Sequence, residues 1–365
     1  MVDSRIEKLA KLCVNYSVSV KPKDQVLIRG SELSFQLLKE IYRECLLNGA
    51  YPSVIPSLDL DFTFFDHAKE HQLNYVSPFY KFLVERIDVS ISVWCPHNPK
   101  GLTNVDPAKI RIHHAARREL TEIFNARAAA GKLRWVGLPY PTSAQAQEAS
   151  MSISEYEDFV YSSCLVDRDA PIEEWKKVDR EQTRLCQYLN EAKTLHIVGA
   201  DTDLTMNVEG RKWENCSGKY NLPDGEVFTA PIENSANGRI RFTYPGIYSG
   251  REVEDITITF KEGRVVEASA KKGNDLLQQI LEIDGADRIG EVAIGTNYGI
   301  TNFTKSILFD EKIGGTIHLA LGSSYPEVGG KNKSAIHWDI LKDMKEGSRI
   351  SADGDVFYED GKFLK

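Results

Sequence analysis

Residues 314–340 contain two segments in which imidazole and carboxylate side chains alternate with large apolar ones. The first is Gly314-Gly315-Thr316-Ile317-His318-Leu319-Ala320-Leu321-Gly322-Ser323-Ser324-Tyr325. The second is Ser334-Ala335-Ile336-His337-Trp338-Asp339-Ile340. In a strand, successive side chains point to opposite faces. Thr316, His318 and Ala320 then share one face of the first segment, and Ile317, Leu319 and Leu321 share the other. In the second, Ala335, His337 and Asp339 oppose Ile336, Trp338 and Ile340. A one-residue slip would turn every apolar side chain to the wrong side, so the alternation constrains both register and fold. The apolar faces can enter a core. The other faces hold histidines and an acid among small residues, with room for an ion or a substrate.

A chain of 365 residues suits about two domains. Its formal charge of -8 argues against nucleic acid as the main partner. No run approaches the ~20 apolar residues of a membrane span, and Met1-Val2-Asp3-Ser4-Arg5 lacks the apolar core of a signal peptide. Cys13, Cys45, Cys95, Cys164, Cys186 and Cys216 are scattered, with no C-x-x-C pair. They read as reduced thiols of a cytoplasmic protein.

From the N-terminus, helical and strand patterns alternate. Apolar spacing predicts a helix from Asp3 to about Tyr16, a buried strand at 25–28, and a helix opened by Ser31 and closed by Asn48-Gly49. Strands follow at 52–56, 88–94 and 132–138. Helical stretches lie between them, including 61–75 and one long helix over 107–129. This alternation implies a parallel sheet covered by helices. Two more helices, about 152–164 and 171–192, end this half. After Lys193 short strands and turns dominate, with hairpins at 260–266 and 357–363 and a helix at 274–283. The expected division is residues 1–192, an α/β domain with a parallel sheet and flanking helices, and residues 193–365, a strand-rich α+β catalytic domain.

Two further segments repeat the opening pattern. Glu226 begins a strand after the turn Leu222-Pro223-Asp224-Gly225, and Glu291 shares a face with Ala293 and Gly295. Glu226, Glu291, His318, His337 and Asp339 are thus each set beside small or apolar residues. A lone carboxylate there is costly to bury, and a divalent cation removes that cost. Three protein ligands are usual for one catalytic zinc. A carboxylate-rich set of five suits two ions sharing a carboxylate and activating water between them. The pattern alone is also met by separate surface charges at strand ends.

Four motifs make the chain resemble the thermophilic-type metallo-aminopeptidases, peptidase family M29. They are 222–231 (LPDGEVFTAP), 289–293 (IGEVA), His318-Leu319-Ala320-Leu321-Gly322 through Tyr325, and Ser334-Ala335-Ile336-His337-Trp338-Asp339; Phe309-Asp310-Glu311 also matches. The resemblance implies that Glu226, Glu291, His318, His337 and Asp339 bind two divalent ions (Zn, Co, Mn or Mg), with Glu291 as bridge. Glu311 would be a further ligand, although two extra residues separate it from His318. Tyr325 would be catalytic, together with Glu291. The implied activity is release of N-terminal amino acids from short peptides with a free N-terminus, by a homodimer whose sites face an enclosed space.

Two other readings stay open at this point. One is another two-metal hydrolase, an amidase or phosphatase. The other is a non-enzymatic α/β protein with a structural ion. His67-Ala68-Lys69-Glu70-His71 fits the H-x-x-E-H zinc-peptidase signature, but it has no third ligand and reads as a solvated helix face. His97, His113, His114 and His196 read as structural or exposed. No phosphate-binding glycine loop is present.

Overall fold

A computed structural model describes residues 3–365. The chain forms two compact units. The first is Met1–Ile172 with Gly218–Pro223, and the second is Glu173–Ser217 with Asp224–Lys365. The sequence boundary expected near 193 falls just past the helix Pro171–Asn190, which from Glu173 onward groups with the second unit.

The first unit is built on a parallel sheet of β1 (Gln25–Gly30), β2 (Tyr51–Pro56), β3 (Val89–Trp94) and β4 (Arg134–Pro139), in the order β2-β1-β3-β4. Burial follows position: β1 and β3 are central and almost continuously buried, whereas the edge strand β2 is mostly exposed. Helix Ser4–Leu12 is capped by Asp3, whose carboxylate accepts from the Arg5 amide. It buries Ile6, Leu9, Ala10 and Leu12, and helix Phe35–Leu47 buries Leu37, Leu38, Ile41 and Cys45.

Two expected helices are broken. The 61–75 stretch divides into Asp61–His67 and Glu70–Leu73, because Ala68 is extended and the Gln72 side chain accepts the Lys69 amide at 3.0 Å, capping a new turn. The 107–129 stretch divides at Arg117, which has left-over turn geometry (φ -88°, ψ 2°) between Pro107–Ala116 and Arg118–Ala129. A short helix, Ser143–Glu148, is capped by Thr142.

The second unit holds a small two-stranded antiparallel sheet, Gly246–Tyr248 with Arg251–Val253, and two large antiparallel sheets around one core. One has eight strands, including Thr194–Gly199, Asn237–Arg241 and Thr257–Lys261. The other has five: β5 (Glu214–Cys216), β6 (Glu226–Thr229), β7 (Ile289–Gly295), β8 (Thr316–Gly322) and β9 (His337–Asp343), in the order β9-β8-β7-β6-β5. Val292, Ile294, Ile317, Leu319, Leu321, Trp338 and Ile340 join Leu195, Ile197, Ile240 and Ile258 in the core. The alternating pattern therefore sends one face of β7, β8 and β9 inward. Burying an aliphatic side chain stabilises by about 1.5–3 kcal/mol, so this face fixes the register of the polar face behind it.

Candidate metal centre

Register brings the polar groups together. Ala320 pairs with Glu291 on one side and Asp339 on the other; His318 pairs with Ala293, Gly322 with His337, and Gly295 with Glu226. Each acid and imidazole thus has an alanine or glycine partner on one side, which leaves space over the sheet, while Leu341 and Cys216 are the second partners of His318 and Glu226. A register shift at Ile289/Glu291 inserts an extra residue beside Glu291; such bulges re-aim side chains.

His318 Nε2 lies 3.2 Å from Glu291 Oε1, 3.4 Å from Glu226 Oε2 and 4.0 Å from Asp339 Oδ1. His337 Nε2 lies 3.3 Å from Glu291 Oε2 and 3.4 Å from Asp339 Oδ1. Donor atoms of Glu226, Glu291 and His318 lie within 4.8 Å of one another; so do those of Glu291, His337 and Asp339, and of Glu311, His318 and Asp339. Glu291 belongs to the first two sets, and its two oxygens face different histidines. Glu311 reaches the cluster because it ends the helical turn Ile307–Asp310 just before β8. Tyr325 stands at its rim, 44% exposed, with its ring against His337 (centroids 5.0 Å) and Phe228 (5.5 Å).

Surrounding groups orient this set. His337 Nδ1–H donates to Ser323 O at 2.7 Å, which presents Nε2 to the acids. Buried Gln182 donates from Nε2 to Glu226 O and Cys216 O at 2.8 and 2.9 Å, joining β5 to β6 where Glu226 begins. Its Oε1 accepts from Thr296 Oγ1.

The electrostatics are those of crowded anions. Burial pushes Glu226 up to about 8, against the pull of Lys312. Burial likewise raises Glu311, again opposed by Lys312. For His318 burial acts downward, but the bond to Glu291 and the charges of Glu226 and Asp339 outweigh it and give about 9. His337 reaches about 11, because Asp339 and Glu291 likewise override burial. Burial would raise Asp339; the neighbouring His337 imidazole holds it below the ordinary carboxylate value instead. Burial first, then the charges of Glu291 and Asp339, keep the Tyr325 phenol well above its ordinary value, so it remains a proton donor. Glu226 Oε2, Asp339 Oδ1 and His318 Nδ1 are buried without hydrogen-bond partners. Orphaned buried acceptors of this kind are costly, and carboxylate oxygens beside imidazole nitrogens are the donor set of divalent metals. The residues fit divalent cations.

Sequence reasoning missed Lys312 and Asp224, which lie in the cluster and are buried. The run Asp310-Glu311-Lys312 before two glycines reads as a solvated turn. The decoy pair His67 and His71 sits on two separate helices and is exposed. His97 pairs with Glu32, and His196 with Asp203.

The chain matches the family described as thermophilic metalloprotease (M29) over residues 2–363. It belongs to that family of metal-dependent peptidases, which are hydrolases. It is similar to aminopeptidase 2 of Geobacillus stearothermophilus, with 27% identity over 93% of this chain and 92% of that protein. The solved structure of wild-type AmpT from Thermus thermophilus superposes with a TM-score of 0.87 at 23% identity, covering 99% of both chains. A 2,5-dihydroxypyridine dioxygenase from Pseudomonas putida KT2440 shares the fold at TM-score 0.60 and 14% identity, covering 100% of this chain and 98% of its own. One fold thus serves different chemistries, and function has to be argued from the site.

Proposed function

We propose that the chain is a two-ion aminopeptidase that removes N-terminal residues from short peptides. The observation that carries this reading is the membership of Glu291 in two ligand sets, Glu226–Glu291–His318 and Glu291–His337–Asp339. All the proposed ligands, Glu311 included, lie beyond residue 193, so we place the catalytic domain there. When bound, the divalent ions supply Lewis acidity and a nucleophilic water at neutral pH.

The protein's own groups do the rest. Glu226, Glu291, Glu311 and Asp339 would hold the ions, and the site favours a free N-terminal amine over a blocked one. Glu291, held between two imidazoles, accepts a proton from the attacking water and passes it to the leaving amine. Tyr325 donates from its phenol to the oxyanion as the carbonyl becomes tetrahedral. His337, fixed by Ser323 O, keeps its Nε2 directed into the site.

We extend the proposal to a cytoplasmic homodimer. Among the described residues, no helix is long and apolar enough to cross a membrane. The six cysteines are free thiols, five of them buried. Hydrolysis of leucyl-p-nitroanilide, with and without chelator, against its N-acetyl analogue tests the activity. Cleavage of the free amine only, abolished by chelator, supports it; equal rates in all three refute it. Light scattering at the elution peak tests the dimer.

A further inference from the structure

Lys312 has no exposed side-chain surface, a rare state for lysine unless it is paired. Its ammonium pairs with Glu311 and stands 3.6 Å from Glu226 Oε1. Asp224 adds its charge from the neighbouring turn.

The backbone places this lysine firmly. Lys312 O accepts the Asn297 amide at 3.0 Å, and Asn297 Nδ2 donates to Asp224 O at 2.8 Å. Thr296 N donates to Gly225 O at 2.8 Å. A Cβ on Gly295 would stand 2.2 Å from Ile313 O and 3.1 Å from Lys312 C, so glycine permits the lysine turn to lie on the end of β7. Three loops are thereby fastened to deliver Asp224, Glu226, Glu311 and Lys312 to one place.

Charge shows what the lysine does. Asp224, Glu226, Glu291, Glu311 and Asp339 carry five negative charges; two divalent cations and one ammonium carry five positive ones. Without Lys312 the loaded centre would be anionic. With it, a fixed positive charge sits beside Glu226 and Glu311 and acts on both ahead of any other charge, whereas on Asp339 it acts only after His337 and His318. Like charges repel strongly in a partly buried site.

We propose that Lys312 is a built-in counter-cation of the metal centre. It weakens cation binding at Glu226–Glu291–His318 relative to Glu291–His337–Asp339, and holds Glu226 and Glu311 together while the weaker ion exchanges. The proposal rests on the reading of the cluster as a two-ion centre. It makes one ion resident and the other exchangeable.

The test is calorimetric titration of the chelator-stripped full chain with Co²⁺, with the visible spectrum of bound cobalt recorded alongside, for wild type, K312M and K312R. Wild type is expected to bind two ions with affinities at least about tenfold apart. K312M should bind the weaker ion at least about tenfold more tightly, and its stripped form should melt below stripped wild type and be restored by Co²⁺. K312R, which keeps the charge, should keep the separation. Tighter binding is a result that general damage to the fold does not produce. If stripped K312M fails to fold, K312Q carries the same comparison. Unchanged or weaker binding in the neutral variants, or K312R behaving like them, overturns the counter-cation while leaving the metal centre standing. A wild type that binds no Co²⁺ overturns both.

Discussion

His337 donates its Nδ1–H to the carbonyl oxygen of Ser323 at 2.7 Å, and this bond turns Nε2 toward Glu291 and Asp339. Backbone from the segment after β8 thus aims a side chain of β9. His337→Asn keeps a donor near Ser323 but withdraws the distal nitrogen. Equilibrium dialysis is expected to show metal affinity falling by about 100-fold. The stripped variant should stay within about 1 kcal/mol of wild type in urea unfolding.

Ala320 is the spacer between Glu291 and Asp339. Ala320→Val suits a strand by propensity, but its extra methyls enter the space between the two acids. The variant is expected to fold and to lose at least about 100-fold in peptidase turnover and metal retention. Ala320→Gly should retain both within about tenfold while losing about 1 kcal/mol of stability. Turnover read beside a thermal melt separates the two effects.

Tyr325→Phe removes a single oxygen from a residue at the rim of the cluster. The ring contacts with His337 and Phe228 remain, so stability and metal content should hold. Loss of one oxyanion donor is expected to lower kcat by about 10²–10³ with KM little changed. Steady-state kinetics of the variant check this.

The sequence made the site legible because the site is local in pattern. Period-two alternation around His318, His337 and Glu291 followed from core burial of Ile317, Leu319, Trp338 and Val292, and the same register that buries one face lines up the other. Lys312 was not legible. Its burial depends on Gly295 and Asn297, far along the chain, and a charged turn before two glycines looks solvated from its neighbours alone. The helix breaks at Ala68 and Arg117 were hidden for a related reason. Apolar spacing continues across both positions, while a capping Gln72 side chain and a local turn decide the backbone.

Glu252 binds the segment that carries Lys305, which lines a cavity of about 320 Å³ beside His337 and Asp339. Lys305 and Lys272 donate to its carboxylate at 2.7 and 3.2 Å. These bonds, Lys305 first, hold its carboxyl below the ordinary 4.5. A depressed carboxyl stabilises the fold above the unfolded value, and that contribution is lost as pH falls through the folded one. Glu252→Gln is therefore expected to cost up to about 1 kcal/mol at pH 7. The difference from wild type should vanish at about pH 2. Urea unfolding at both pH values checks it.

The two ligand sets sharing Glu291 are tested most directly by anomalous diffraction from crystals of the Co²⁺-loaded protein. The predicted result is two peaks about 3.5–4 Å apart, one against Glu226 and His318, the other against His337 and Asp339, with Glu291 touching both. A single peak, or cobalt bound away from Glu291, would contradict the account.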